Sequence, residues 1–275
     1  LTIDQILRDV DAPGVTRADM QRLLLCAMGR PRGDRAWLLA HGDGAVPAEA
    51  SARFQELVQR LRDGEPMAYL IGSQDFYGLE LQVDARVLVP RPDTETLVDW
   101  VLEVLPPTAS ADVLDLGTGS GAIALAIRHQ RGRASVTAVD RSPEALDVAR
   151  ANAQRLGLDV RFLQGDWLEG VSDHYDLIVS NPPYVAQDDA HLPALRHEPE
   201  QALVAGQDGL DDLRRIASGA GARLRPGGWL LLEHGWHQAG AVRELLASQG
   251  YEGVSSRKDL AGIERCTGGQ WPGLG

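Results

Sequence analysis

The chain has 275 residues, 44% of them hydrophobic, enough to bury one large core or two smaller ones. A net charge of -12 argues against affinity built on many Lys or Arg contacts to phosphates, and no apolar run approaches the roughly 18 residues of a membrane span. The first residues lack a secretory signal's succession of basic, apolar and small residues, so a cytoplasmic location is expected, with Cys26 and Cys266 as reduced thiols and no metal-ligand spacing.

From residue 2 to about residue 62 the apolar residues recur at helical spacing: Ile3, Ile6, Leu7 and Val10, then Met20, Leu23, Leu24 and Ala27, then Phe54, Leu57, Val58 and Leu61. Thr2 and Thr16 suit N-caps and Pro47 a first helical turn, so this segment reads as a small helical domain. Over residues 76–89 the period becomes two, with Phe76, Gly78, Glu80 and Gln82 alternating against Tyr77, Leu79, Leu81 and Val83. That pattern predicts a hairpin linking two domains.

Beyond Pro90 a helix is expected over 94–105. Short apolar runs follow at 113–116, 136–139, 160–163, 177–179 and 229–232, with helices over 123–128, 143–156 and 210–224. Alternating helices and strands predict an α/β fold with a mostly parallel sheet covered on both faces and a ligand site at the strands' carboxyl ends.

The first of these strands runs into Asp115, Gly117, Thr118, Gly119, Ser120, Gly121 and Ala122, in the order DLGTGSGA. Glycines at a strand-to-helix turn let backbone approach a ligand, and the helix N-terminus favours an anionic group. The loop alone fits a dinucleotide as well as S-adenosylmethionine. Asp115 favours the second, since its charge would repel a pyrophosphate and attract the ammonium of a methionine moiety. The alternative is a strand-end carboxylate that only fixes the turn. Asp140, ending the second strand, suits ribose hydroxyls. Asp166 offers a carboxylate to an adenine amino group, and Trp167 an indole to its face.

After the fourth strand come Asn181, Pro182, Pro183 and Tyr184. A rigid turn is the plain reading. The chemical reading uses each position. A planar NH2 is a weak nucleophile that must be held: by the Asn181 amide oxygen and the Pro182 carbonyl as acceptors, by prolines that stiffen the loop, and by Tyr184 against the flat face. The catalytic residues expected on this reading are Asn181, Pro182 and Tyr184, with no general base required.

With these motifs the chain resembles the release factor glutamine methyltransferase family, within the Rossmann-like class I methyltransferases. The resemblance also rests on Glu65-Pro66 with Tyr69 and Gly72, on Phe76-Tyr77-Gly78, on the run from Pro90 to Glu95, on Glu198-Pro199 through Ala202-Leu203, on Asp208-Gly209-Leu210, on Pro226-Gly227-Gly228, and on the run from Lys258 to Gly262. It implies a helical substrate-docking domain (1–73), a hairpin linker (74–90) and a methyltransferase domain with a seven-stranded sheet (91–275).

It further implies methyl transfer from S-adenosyl-L-methionine to the side-chain N5 of the glutamine in the Gly-Gly-Gln motif of bacterial class 1 peptide chain release factors. Residues 117–121, Asp140, Trp167 and Asn181 would then contact the cofactor, and residues 181–184 the glutamine. The partner expected is the release factor, with no nucleic acid or membrane, and the chain is expected to be a monomer. Two other readings stand beside this one: a DNA or RNA exocyclic-amine methyltransferase, which would have to extract its base, and a non-catalytic protein that only docks on release factors. His234 occupies a position where an apolar residue is expected, and Gly268-Gly269-Gln270 repeats the substrate tripeptide by coincidence.

Overall fold

In the computed structural model, which describes residues 1–9 and 15–273, the helical spacing of the N-terminal region becomes α1 (Ile3–Asp9), α2 (Arg17–Ala27), α3 (Arg35–Ala40), α4 (Ala48–Arg62) and α5 (Met67–Ile71). Thr16 caps α2 in a reciprocal box: its hydroxyl accepts from the Asp19 amide at 3.1 Å while the Asp19 carboxylate accepts from the Thr16 amide. Ile3, Leu23, Leu24, Phe54 and Val58 are buried in one apolar cluster. Val10, expected on the same face, lies outside the described residues. The short helices α3 and α5 escape the sequence reading because each is little more than one turn long.

The chain divides into two compact units, Leu1–Ser73 and Gln74–Gly275. The hairpin is shorter than the alternation suggests: β1 (Ser73–Phe76) pairs with β2 (Leu79–Gln82) and nothing beyond Gln82 continues the ladder. Tyr77 and Gly78 form the turn, both at positive φ. An aromatic residue reads as strand by propensity, and here the tight two-residue connection overrides that preference. Leu79 and Leu81 still face inward, as the alternation requires.

In the second unit, β3 (Asp112–Leu116), β4 (Ser135–Asp140), β5 (Arg161–Gln164), β6 (Tyr175–Ser180) and β7 (Leu224–Glu233) are parallel. Two strands not read from the sequence, β8 (Glu252–Lys258) and β9 (Glu264–Gln270), complete a seven-stranded sheet in the order β5-β4-β3-β6-β7-β9-β8, with β9 antiparallel to both neighbours. The period of two assigns side chains to opposite faces. Val113, Leu177, Val179 and Leu231 pack with α6 (Glu95–Val104) and α7 (Ala122–Gln130), whereas Leu114, Leu116, Ile178 and Leu230 pack with α9 (Asp211–Ala220) and α10 (Ala239–Ser248). Between β4 and β5 runs α8 (Pro143–Leu156), capped by the Ser142 hydroxyl, which accepts from the Ala145 amide at 3.1 Å.

The helix expected over 210–224 ends at Ala220, where the chain turns through Gly221 into β7.

Gly268 and Gly269 are strand residues of β9. A Cβ on Gly268 would collide with Leu231 Cδ2 and stand 2.8 Å from the Leu230 carbonyl oxygen and 3.1 Å from the Trp100 ring. The two glycines are therefore required by packing, a Cβ on Gly269 standing 3.0 Å from Tyr251 Cβ. His234, fully buried, has Nε2 at 2.7 Å from the Thr267 hydroxyl and Nδ1 at 3.0 Å from the Gly235 carbonyl; burial lowers its pKa. It is a neutral link between the end of β7 and β9. Gly268→Ala should lower stability by about 1–3 kcal/mol, since a backbone oxygen cannot step aside. A urea midpoint equal to wild type at unchanged slope would show that the sheet relaxes instead.

Candidate active site

Two loops leave the sheet at its topological switch point. The glycine-rich loop follows β3 and the Asn-Pro-Pro-Tyr loop follows β6, the strand paired with β3 on the side away from β4. One cleft is lined by residues of both loops, by the ends of β4 and β5, and by the stretch from Arg86 to Thr94. Of the expected site residues, Gly117, Thr118, Gly119, Ser120, Asp140, Asp166, Trp167, Asn181 and Pro183 line it; Asp115, Gly121, Pro182 and Tyr184 do not.

The loop is held from beneath. The amides of Gly117 and Thr118 donate to the Val139 carbonyl at 2.8 and 3.0 Å, and the Gly119 amide donates to Asp140 Oδ2 at 2.8 Å. Gly117 has φ +71°, and a Cβ there would stand 3.1 Å from the Trp167 ring. Only glycine lets the indole lie this close to the backbone. Trp167 itself has φ 54°, a left-handed conformation uncommon outside glycine, and its indole N–H donates to Asp212 Oδ1 at 3.0 Å. The ring is thus oriented from both sides at the cleft wall.

Asp115 is fully buried beneath the loop rather than exposed in the cleft. Its Oδ2 accepts from the Thr118 hydroxyl at 2.6 Å and from the Ala124 amide at 3.2 Å, tying the loop to the start of α7, while Oδ1 has no partner. Burial, only partly offset by those bonds, pushes its pKa up to about 7. Asp140 Oδ1 accepts from the Ser142 amide at 2.9 Å, and its pKa is raised by burial against the opposing bonds from Ser142 and Gly119. A carboxylate with one donor on each oxygen has capacity left for hydroxyl groups. Asp166 pairs through Oδ2 with Arg215 at 2.6 Å and leaves a buried Oδ1 without a partner.

These are the features that fit a nucleoside bearing a methionine chain: a carboxylate with spare acceptor sites at a strand end, an unengaged carboxylate oxygen beside an indole, and a loop of approachable backbone beneath which a further carboxylate oxygen lacks a donor.

In the second loop the Ser180 hydroxyl donates to the Leu116 carbonyl at 2.7 Å, anchoring the end of β6 to β3. Asn181 Nδ2 donates to the Thr94 hydroxyl at 3.2 Å. Among the described residues nothing donates to the Pro182 carbonyl. Tyr184 packs with the α9–α10 side of the core, and its hydroxyl donates to Glu233 Oε1 at 3.3 Å. The ring is turned inward because a buried phenol needs an acceptor and Glu233 supplies it.

Sequence reasoning passed over Thr94, Arg91, Glu198 and Glu233. Glu198 is buried, pairs with the Arg91 guanidinium and accepts from the Val89 amide at 3.1 Å, so it clamps the stretch that brings Thr94 to the cleft. The Pro90–Glu95 and Glu198-Pro199 motifs carried that signal without its geometry.

The family models that match are a methyltransferase small domain over residues 93–234 and a PrmC N-terminal domain over residues 7–72. The chain is 51% identical over 269 residues to a release factor glutamine methyltransferase of Bordetella pertussis, covering 96% of this chain and 98% of that one. It is 49% identical to a protein of the same description from Xylella fastidiosa, covering 94% of this chain and 95% of that one. A solved methyltransferase from Pyrococcus furiosus, 23% identical, superposes with a TM-score of 0.56 over 72% of this chain and 90% of that one, a likeness of fold alone.

Asp115 carries a pH signature. Its folded pKa, about 7, stands above its ordinary value of 3.8, so across that window the folded chain holds a proton that the unfolded chain has released. Stability from this group is full at the acid end and is lost as pH rises toward 7. Asp115→Asn should therefore show a smaller loss of urea midpoint than wild type between about pH 5 and about pH 8. Identical slopes in the two proteins would remove the buried titration.

Proposed function

The chain belongs to the release factor glutamine methyltransferase family, and from that premise we propose that it methylates the side-chain N5 of the glutamine in the Gly-Gly-Gln motif of class 1 peptide chain release factors. The single observation that carries the reading is the second loop at the switch point: Asn181 lines the cleft with its amide nitrogen already committed to Thr94, and the Pro182 carbonyl, which sits in sequence between the two lining residues Asn181 and Pro183 although Pro182 itself is outside the lining, is left without a donor among the described residues. Two acceptors next to each other in sequence suit the two hydrogens of one carboxamide NH2.

S-adenosyl-L-methionine, when bound, supplies an electrophilic methyl group on sulfur. The residues that would hold it are the loop 117–121, with Asp140 toward the ribose, Asp166 and Trp167 toward the adenine, and Asp115 bracing the loop from below. Asn181 and Pro182 hold the target nitrogen in line, and their pull on its hydrogens strengthens as positive charge develops there. The rigid prolines keep both acceptors in place. Tyr184 stands behind the loop rather than over the target group, so it supports the cradle through Glu233. The methylated nitrogen is acidic enough to lose its proton without a dedicated base.

One glutamine side chain offers too little surface to select a protein, because specific interfaces bury about 1,200 to 2,000 Å². On this reading the helical unit over residues 1–73 docks the release factor, and the chain acts in translation termination, in the cytoplasm and as a monomer.

Incubation of purified release factor with labelled cofactor, followed by mass spectrometry, tests the activity at the glutamine itself. Asn181→Ala should lower turnover about 100- to 1000-fold while the protein stays folded, and turnover within a factor of about three of wild type would remove the cradle. Asp140→Ala should weaken cofactor affinity by at least about tenfold in calorimetry, since charge-assisted bonds to ribose are lost. Unchanged affinity would take Asp140 out of the site.

A further inference from the structure

The catalytic unit covers its large apolar side chains everywhere but at one edge. Among the described residues of the unit Gln74–Gly275, the large hydrophobic side chains left exposed are Trp236, Leu260 and Ile263. A single exposed leucine is ordinary on a protein surface. Here all three lie beyond the carboxyl ends of the parallel strands, where the Asn-Pro-Pro-Tyr loop also leaves the sheet, and apolar side chains gathered at one place mark a contact surface. Resting on the function proposed above, we infer that this rim, with Leu260 at its tip, is a docking surface for the folded release factor around its Gly-Gly-Gln loop.

Strand order fixes the position. β7 lies between β6 and β9. Its last residue, Glu233, pairs with Cys266 of β9, and Lys258 at the end of β8 pairs with Glu264 at the start of β9. The segment after β7 that carries Trp236 and the turn that carries Leu260 and Ile263 therefore stand past the same sheet edge as Asn181. Neighbouring strands are about 4.8 Å apart, so the end of β9 is about 10 Å from the end of β6. One guanidinium spans the remaining gap: Arg265 bonds Asp259, the neighbour of Leu260, at 3.0 Å, and Asp93, the neighbour of the cleft residue Thr94, at 3.2 Å.

The turn is preformed. Asp259 is buried, its Oδ1 accepts from the amides of Ala261 and Ile263 at 2.9 Å each, and its own amide donates to the Ile263 carbonyl at 2.8 Å. Gly262 supplies the left-handed φ of 81° that closes the turn. Leu260 stands fully exposed on this stiff support. Turn chemistry accounts for the aspartate and the glycine but asks for no leucine at the tip. A tip already held in place loses little backbone freedom on contact, so burial of its side chain goes into affinity.

Reach decides the occupant. For a glutamine N5 to meet a methyl group in the cleft, the protein that bears it must lie across the cleft mouth. A specific interface covers about 800 Å² on each partner, a disc about 16 Å in radius. Centred on Asn181, such a disc takes in the rim two strands away. A second copy of this chain seated there would close the mouth that the substrate has to enter.

Full-length enzyme, intact release factor and S-adenosylmethionine test the surface. Leu260→Ser and Trp236→Ala should each raise KM for release factor about tenfold or more, the worth of one buried apolar side chain, with kcat within about twofold of wild type. Leu260→Met, apolar and similar in size, should keep KM within about threefold. On a short Gly-Gly-Gln peptide, and in calorimetric affinity for S-adenosylmethionine, all three variants should match wild type, because neither ligand reaches the rim. Circular dichroism and thermal melting check folding, and Leu260→Ser carries the test if Trp236→Ala does not fold.

Wild-type KM for release factor in Leu260→Ser, or an equal proportional loss on protein and peptide, would overturn the docking surface. So would sedimentation that finds a wild-type dimer dissolved by Leu260→Ser, which would assign the rim to a second copy. Failure of the proposed function reads differently. Wild-type enzyme that leaves release factor unmethylated overturns the activity and the docking together, whereas full activity that Leu260→Ser does not alter overturns the docking alone.

Discussion

Strands β3 and β6 pair with each other, yet the chain leaves them toward opposite faces of the sheet. From β3 it enters α7, which packs on one face, and from β6 it proceeds by way of α9, which packs on the other. Two connections that diverge from adjacent strand ends cannot fill the space between them, and a crevice results whatever the loops contain. The sequence of each loop then decides what the crevice does. Glycines and acidic strand ends line one wall, an asparagine and a proline the other, and the two walls keep their spacing because Ser180 ties the end of β6 to the Leu116 carbonyl of β3.

That arrangement obliges the fold to tolerate carboxyl groups it would be more stable without. Asp115 and Glu233 are both almost wholly buried, each has an oxygen with no partner, and burial raises both pKa values to about 7. An unpaired buried charge is costly, and the usual escape is to bind a proton. Both groups lie immediately behind the cleft walls, one under the glycine loop and one behind Asn181. Their cost falls where orientation matters most, consistent with stability given up locally for a pre-set site.

Legibility in the sequence followed burial. Strands β3 and β4 are covered on both faces and read as mostly apolar runs, interrupted only by Asp115 and Thr137, so residues 113–116 and 136–139 announced themselves. Strand β8 is an edge strand whose residues are mostly exposed, and β9 carries two glycines demanded by Trp100, Leu231 and Tyr251 packed against it; neither has a strand's composition. The helix expected over 143–156 coincides with α8, whose ends are set by the Ser142 cap, Pro143 and the left-handed Gly157, whereas α10 has no side-chain cap and was missed. At the site, loops rich in glycine, aspartate or proline were legible as chemistry. What was not legible was direction: nothing in the letters says that Asp115 points beneath its loop, that Tyr184 turns inward to Glu233, or that Thr94 arrives from far upstream.

Trp167 has one further consequence. Of the six tryptophans in the chain, it is the one that lines the cleft, with its ring laid on Gly117 and its N–H fastened to Asp212. An indole held this rigidly, with a carboxylate at its nitrogen and a changing neighbour on its open side, responds optically to what occupies the cleft. The enzyme therefore carries its own fluorophore at the cleft wall, placed there by a backbone conformation that few residues other than glycine adopt.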